Sequence, residues 1–123
     1  MNEGPAVSRF TIIGRRDPSH WDGLIVGFHG GREIGRLRYN LPQGPHSPNG
    51  IIRISGEMHV EQAHRRCGLA SMLVDKLHEG FPGKRRLDPN GFTADGLALF
   101  RALHARRAYL DHWLTEGALA HLQ

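Results

Sequence analysis

The sequence predicts an α+β (mixed α/β) fold, and three observations lead there. Residues 9–60 carry the period-two apolar alternation of strands. The segments from Leu69 onward carry the 3.6-residue period of helices. Gly, Pro, Asn and Asp clusters separate these stretches, so strands come first and turn-plus-helix units follow. The 123 residues, 39% of them hydrophobic, are enough for one buried core, so residues 1–123 are read as a single domain. Residues 1–8 show no periodic pattern and are read as a loose N-terminus.

Arg9 to Gly14 is rich in β-branched and aromatic residues and is expected to open the sheet. Asp17-Pro18-Ser19 and Asp22-Gly23 are turn signals, and Leu24 to Phe28 is short and apolar, as a central strand would be. His29-Gly30-Gly31-Arg32 reads as a hairpin turn. In the strand Ile34 to Leu41, Leu37, Tyr39 and Leu41 face one way, and Arg36, Arg38 and Asn40 the other. Pro42 to Gly50 holds three prolines and is expected to form a flexible rim or a lid. Ile51 to Val60 is expected to be one strand, with Ile52, Ile54, Gly56, Met58 and Val60 on one face and Arg53, Ser55, Glu57 and His59 on the other. Leu69, Met72, Leu73 and Leu77 form a helical stripe that Gly80-Phe81-Pro82-Gly83 ends. Lys84 to Asp88 reads as a short strand. Thr93 can cap a last helical region carrying Leu97, Leu99, Phe100 and Leu103. Leu110, Trp113, Leu114, Leu119 and Leu122 continue helically, with a break or kink expected at Gly117.

The most informative stretch is Gln62 to Ala70, where Arg65-Arg66-Cys67-Gly68-Leu69-Ala70 lies between the strand Ile51–Val60 and the helix from Leu69. The first amides of a helix have no internal partners and sit at the positive end of its dipole, so a strand, a glycine turn and a helix start together form an anion trap. Sixteen Lys and Arg against twelve Asp and Glu give a formal charge of +4, which favours anionic partners. A single cysteine excludes an internal disulfide, no apolar run reaches the roughly 18–20 residues that span a bilayer, and Met-Asn-Glu-Gly-Pro has no signal-peptide layout. A cytoplasmic protein with no membrane partner is the corresponding expectation. The nine histidines show no compact ligand spacing, and no metal site is expected.

The motif and its flanks resemble the GNAT superfamily of acetyl-CoA-dependent N-acetyltransferases, best over residues 51–103. Arg65-Arg66-Cys67-Gly68-Leu69-Ala70 stands where that family has Arg/Gln-x-x-Gly-x-Gly/Ala, and Thr93, Gly96 and Phe100 fall at the spacing of Asn-x-x-Ala-x-x-x-Tyr. The resemblance implies a central, mostly antiparallel sheet with packed helices. The two helices usual between the first and second strands are reduced or absent. It implies acetyl-CoA as cofactor, with Arg65, Arg66, Cys67, Gly68, Leu69, Ala70 and Ser71 at the pyrophosphate, Met58, His59 and Val60 along the pantetheine, and Thr93 and Phe100 at the second motif. Phe100 replaces the tyrosine that commonly protonates the leaving thiolate, and Tyr109 is an off-pattern candidate for that role.

Acetyl transfer to an amine needs a polarised thioester, a group that takes the amine proton and close placement of both substrates. Glu57 and His59, two apart on one face, are the candidate bases. Three readings follow. The first is an acetyl-CoA-dependent N-acyltransferase whose amine acceptor is a small molecule or a protein. The second is a catalytically weak or inactive GNAT-like domain that binds CoA or a partner. The third is a small basic nucleic-acid-binding protein, which is disfavoured because no stacking platform accompanies the charge. Trp113 and Leu114 near the C-terminus are compatible with a homodimer.

Overall fold

A computed structural model of the chain describes residues 10–15, 21–55, 58–61, 68–81, 83–89 and 93–122. Three strands, β1 (Thr11–Arg15), β2 (Asp22–His29) and β3 (Arg32–Asn40), form an antiparallel meander. His29 pairs with Arg32 across Gly30 and Gly31, whose φ angles are 60° and 79°. A two-residue hairpin turn of matching twist needs positive φ at both positions, which is why glycine fills both. Gly27 pairs with Gly35 and Phe28 with Glu33, so Ile34 is an extra residue bulged out of β3. The bulge lets Ile34 join Leu37, Tyr39 and Leu41 in the core despite breaking their alternation.

The expected single strand from Ile51 to Val60 is two strands. β4 (Ile51–Ile54) and β5 (His59–Val60) both pair antiparallel with β3, but in different registers. Tyr39 faces Ile54 and Arg36 faces His59. Ile52 and Ile54 of β4 and Val60 of β5 keep one parity in the sequence, so the break is invisible to an alternation argument. β6 (Arg86–Asp88) pairs parallel with β4, and the sheet runs β1-β2-β3-β4-β6 with β5 attached to β3 alone.

The helices are α1 (Leu69–Gly80), α2 (Ala94–His104), α3 (Leu110–Trp113) and α4 (Glu116–Leu122). Leu69, Leu73, Val74 and Leu77 of α1 and Phe100 and Leu103 of α2 share one apolar cluster with Ile25, Leu37, Ile52, Ile54 and Leu87 of the sheet. The C-terminal break falls at Leu114–Thr115 and not at Gly117, which lies inside α4. Leu114 bridges to Leu87, Thr115 N–H donates to Leu87 O at 3.0 Å, and Thr115 Oγ1 accepts from Ala118 N–H at 3.3 Å. Sheet pairing and an N-cap, both supplied at these two residues, outweigh the modest helix cost of one glycine. Trp113 and Leu114 are buried within the chain, so they supply no apolar surface for a homodimer.

The loop from Pro42 to Gly50 is a pinned structure and not a free rim. Gly44, Ser47 and Gly50 amides donate to the carbonyls of Leu41, Gly44 and Ser47. Gln43 Oε1 accepts from Ile51 N–H at 2.8 Å. Arg85, only 8% exposed, donates to Gly44 O at 3.2 Å and Pro45 O at 3.0 Å, and its guanidinium lies 5.7 Å from the Phe81 ring centre. Arg85 therefore helps to hold the loop in place. Arg85→Met is expected to lower unfolding free energy by about 2–4 kcal/mol, because charge-assisted bonds are lost and buried carbonyls are left unpaired. Lys84→Met, at an exposed neighbour, is expected to stay within about 0.5 kcal/mol. Urea unfolding of the two variants checks the contrast.

Candidate functional site

Pairing between β4 and β6 ends at Arg53 and Asp88. Beyond that point β5 stays with β3, and among the described residues no strand pairs with its other side. Among the described residues, β5 thus lies past the C-terminal ends of the parallel strands β4 and β6. Glu61 N–H donates to Ile34 O at 2.8 Å, so the ladder alternation turns the main-chain polar groups of residues 58 and 60 to the side away from β3.

The start of α1 borders the same strand. Gly68 is the N-cap, with φ 85° and ψ 2°, and its carbonyl accepts from Met72 N–H at 3.1 Å. No side chain caps this end, and no acidic residue lies in its first turn. The amides of Leu69, Ala70 and Ser71 therefore have no partner within the helix, at its positive pole. Two glycines bring this end close to the sheet. A Cβ at Gly27 would stand 2.7 Å from Leu69 Cδ1. One at Gly35 would stand 2.9 Å from Leu69 Cδ2 and 3.0 Å from the His59 carbonyl oxygen. The paired glycines form a socket for the Leu69 side chain, which is 1% exposed, and Gly35 also lets β5 lie close.

The sequence-derived site residues distribute unevenly over this geometry. Gly68, Leu69, Ala70 and Ser71 form the helix start, and Met58 and Val60 pack at the margin of the core beside it. His59 is exposed and paired with Arg36. Glu57, Arg65, Arg66 and Cys67 lie outside the described residues. Thr93 caps α2 by accepting from Gly96 N–H at 3.0 Å. Phe100 is 2% exposed, so its ring belongs to the core.

Tyr109 is engaged elsewhere. Its hydroxyl donates to Asp75, its ring stacks on His78 with centroids 3.9 Å apart, and Arg107 donates to the same carboxylate at 3.2 Å. Asp75 and His78 belong to α1, so these contacts tie Tyr109 to that helix and not to β5. Burial, then the bond to Asp75, pushes the phenol pKa well up. The network joins residues about 30 positions apart, and only the i, i+3 spacing of Asp75 and His78 hints at it in the sequence. Desolvation lowers the His78 pKa below 6.5, partly opposed by Asp75 and Glu79. The unfolded chain then holds the extra proton, so stability is full above the unfolded value near 6.5 and falls as pH drops through it. His78→Phe keeps a stacking ring and is expected to flatten this part of the stability–pH curve, measured by urea midpoints from pH 5 to 8.

Several solved acetyltransferases share this architecture. A possible acetyltransferase from Clostridium difficile 630 superposes with a TM-score of 0.53 at 14% identity, over 69% of this chain and 59% of that one. A GNAT-family protein from Streptococcus pneumoniae TIGR4 gives 0.50 at 14% identity, over 67% and 58%. An aminoglycoside acetyltransferase from an uncultured soil metagenomic sample, in complex with sisomicin, gives 0.52 at 15%, over 71% and 58%. The fold is GNAT-like. This chain spans less than two thirds of the length of each of these proteins. No family model matches the sequence, and no curated protein does.

Proposed function

We propose that this GNAT-like chain binds acetyl-CoA and moves its acetyl group to an amine. The observation that carries the reading is the helix start at Gly68, whose Leu69 packs over Gly35 beside β5. An exposed left-handed glycine precedes three amides that have no partner within the helix, with no acidic side chain in the first turn to compete. That donor set fits a pyrophosphate, and no described residue stands within 4 Å of where a Gly68 Cβ would project. The amides of Leu69, Ala70 and Ser71 would hold the phosphates, Arg65 and Arg66 would add charge, and residues 58–60 would align the pantetheine arm.

Acetyl-CoA supplies an activated thioester carbonyl to the acceptor nitrogen. The chain's part is to place the two reactants together and to receive the amine proton, directly or through water, at Glu57 or His59. His59 is exposed on the sheet face that also carries Arg36, within reach of solvent and acceptor. A second reading, a CoA-binding domain with little or no catalysis, is favoured by two positions. Phe100 has no proton to give, and the Tyr109 proton is held by Asp75.

Calorimetric titration with acetyl-CoA and with CoA tests the binding reading, with micromolar affinity expected. No heat of binding at millimolar ligand would remove it. Release of free thiol in the presence of an amine panel then separates an enzyme from a silent CoA binder.

A further inference from the structure

The sheet face opposite the core carries a pair of guanidinium groups with little to hold. Asn40 pairs with Arg53, and Ser55 N–H donates to Arg38 O at 2.9 Å, so Arg38, Asn40, Arg53 and Ser55 form a four-cornered patch on β3 and β4. Arg38 and Arg53 are diagonal neighbours, close enough for long side chains to meet over one small ligand. Their environments differ from that of Arg36, whose guanidinium is held by Glu33 at 2.6 and 2.8 Å. The Arg38 side chain is exposed, and its guanidinium has no hydrogen-bond or ion partner among the described residues. Arg53, its side chain 36% exposed, makes a single long contact from Nη2 to Asp88 Oδ2 at 3.3 Å. Its Nε, a donor, is buried without any partner. Buried polar atoms left unpaired are rare in folded proteins and often mark a site completed by something else.

We propose that Arg38 and Arg53 bind an acid group, carboxylate or phosphate, on the amine acceptor, and so set its class. The inference rests on the acetyl-transfer reading. His59 of β5 faces Arg36, two β3 residues beyond Arg38. That is about 7 Å along the strand. An acid group on Arg38 and Arg53 would therefore leave an amine several bonds away, beside His59. Two planar guanidinium forks match an acid group's oxygens in geometry as well as charge. An uncharged amide brings no charge and a single acceptor oxygen to the two guanidinium forks, and a cationic group would be repelled by them.

The test uses the full chain and three probes: 5-aminopentanoate, the matching 5-aminopentanamide, and inorganic phosphate. Arginine Nε–H signals are followed by NMR. The carboxylate and phosphate are expected to shift the Arg38 and Arg53 signals and leave Arg36 unmoved, and the amide to shift none. Arg38→Gln and Arg53→Gln are each expected to weaken carboxylate binding about tenfold, the loss of one charge-assisted pair. Equal shifts with the amide, or unchanged binding in both variants, would overturn the site. In turnover assays each variant is expected to raise KM for 5-aminopentanoate about tenfold, with kcat and acetyl-CoA affinity near wild type. Acetylation that shows no preference for the acid-bearing amine would refute the acceptor role and leave the acetyl-transfer reading standing. Absence of acetyl-CoA binding would remove that reading and the acceptor role with it, while the NMR arm still decides whether the anion site exists.

Discussion

Gly68→Glu is expected to weaken acetyl-CoA binding at least about a hundredfold while the chain stays folded. The position is exposed, and a Cβ there would meet none of the described residues within 4 Å, so added bulk causes no collision with them. Two costs remain. The φ of 85° is unfavourable for an L side chain, by about 1–2 kcal/mol. A carboxylate placed over the first amides of α1 would also occupy and neutralise the anion cradle. Controls separate these costs. Gly68→Asn tolerates the left-handed backbone without adding charge, and its affinity is expected within about threefold of wild type. Gly68→Arg carries backbone strain like that of the glutamate variant with the opposite charge, and is expected to bind far better than Gly68→Glu. Calorimetry for affinity and urea unfolding for stability check all four proteins. Equal losses in the glutamate and arginine variants would mean that conformation and not charge governs the site.

The helix start was legible because its signals are local. The apolar stripe from Leu69 and the glycine immediately before it fix where α1 begins, and the Thr93 cap fixes α2 in the same way. The alternation of Leu37, Tyr39 and Leu41 likewise gave the buried face of β3. The division of this stretch into β4 and β5 was not legible, because the apolar alternation of the sequence keeps one parity in both strands. Arg85 reads as one of a surface run, Lys84-Arg85-Arg86. Only tertiary contact reveals that it is buried under Gly44 and Pro45. Tyr109 illustrates a limit of the same kind. Its chemistry made it a candidate acid, and a carboxylate 34 positions away decides what its proton does. Residue type identifies what a side chain can do, and long-range packing decides whether it is free to do it.

The glycine socket under Leu69 allows a sharper test of how the fold positions the site. Leu69→Ala alone is expected to cost about 2–4 kcal/mol, the usual range for emptying a buried leucine. Gly27→Ala and Gly35→Ala are each expected to cost about 1–3 kcal/mol through overpacking, but for different reasons. The closest atoms to the new Cβ at Gly27 are the Leu69 methyls, at 2.7 and 3.5 Å, with Ile12 Cδ1 at 3.4 Å. At Gly35 it also meets backbone, the His59 carbonyl at 3.0 Å and the Val60 Cα at 3.5 Å. Truncating Leu69 should therefore rescue Gly27→Ala, with a favourable coupling of about 1 kcal/mol or more in a double-mutant cycle. The same truncation should rescue Gly35→Ala only in part, because β5 is held to β3 by its own ladder and cannot step aside as a side chain can. The functional consequence differs in the same direction. Gly35→Ala displaces the strand proposed to align the pantetheine arm, and its acetyl-CoA affinity is expected to fall about tenfold, a displacement cost near 1.4 kcal/mol. Gly27→Ala in the Leu69→Ala background leaves β5 in place and is expected to match Leu69→Ala in affinity. Equal coupling at the two glycines would mean that the socket serves the helix alone and has no part in setting the position of β5.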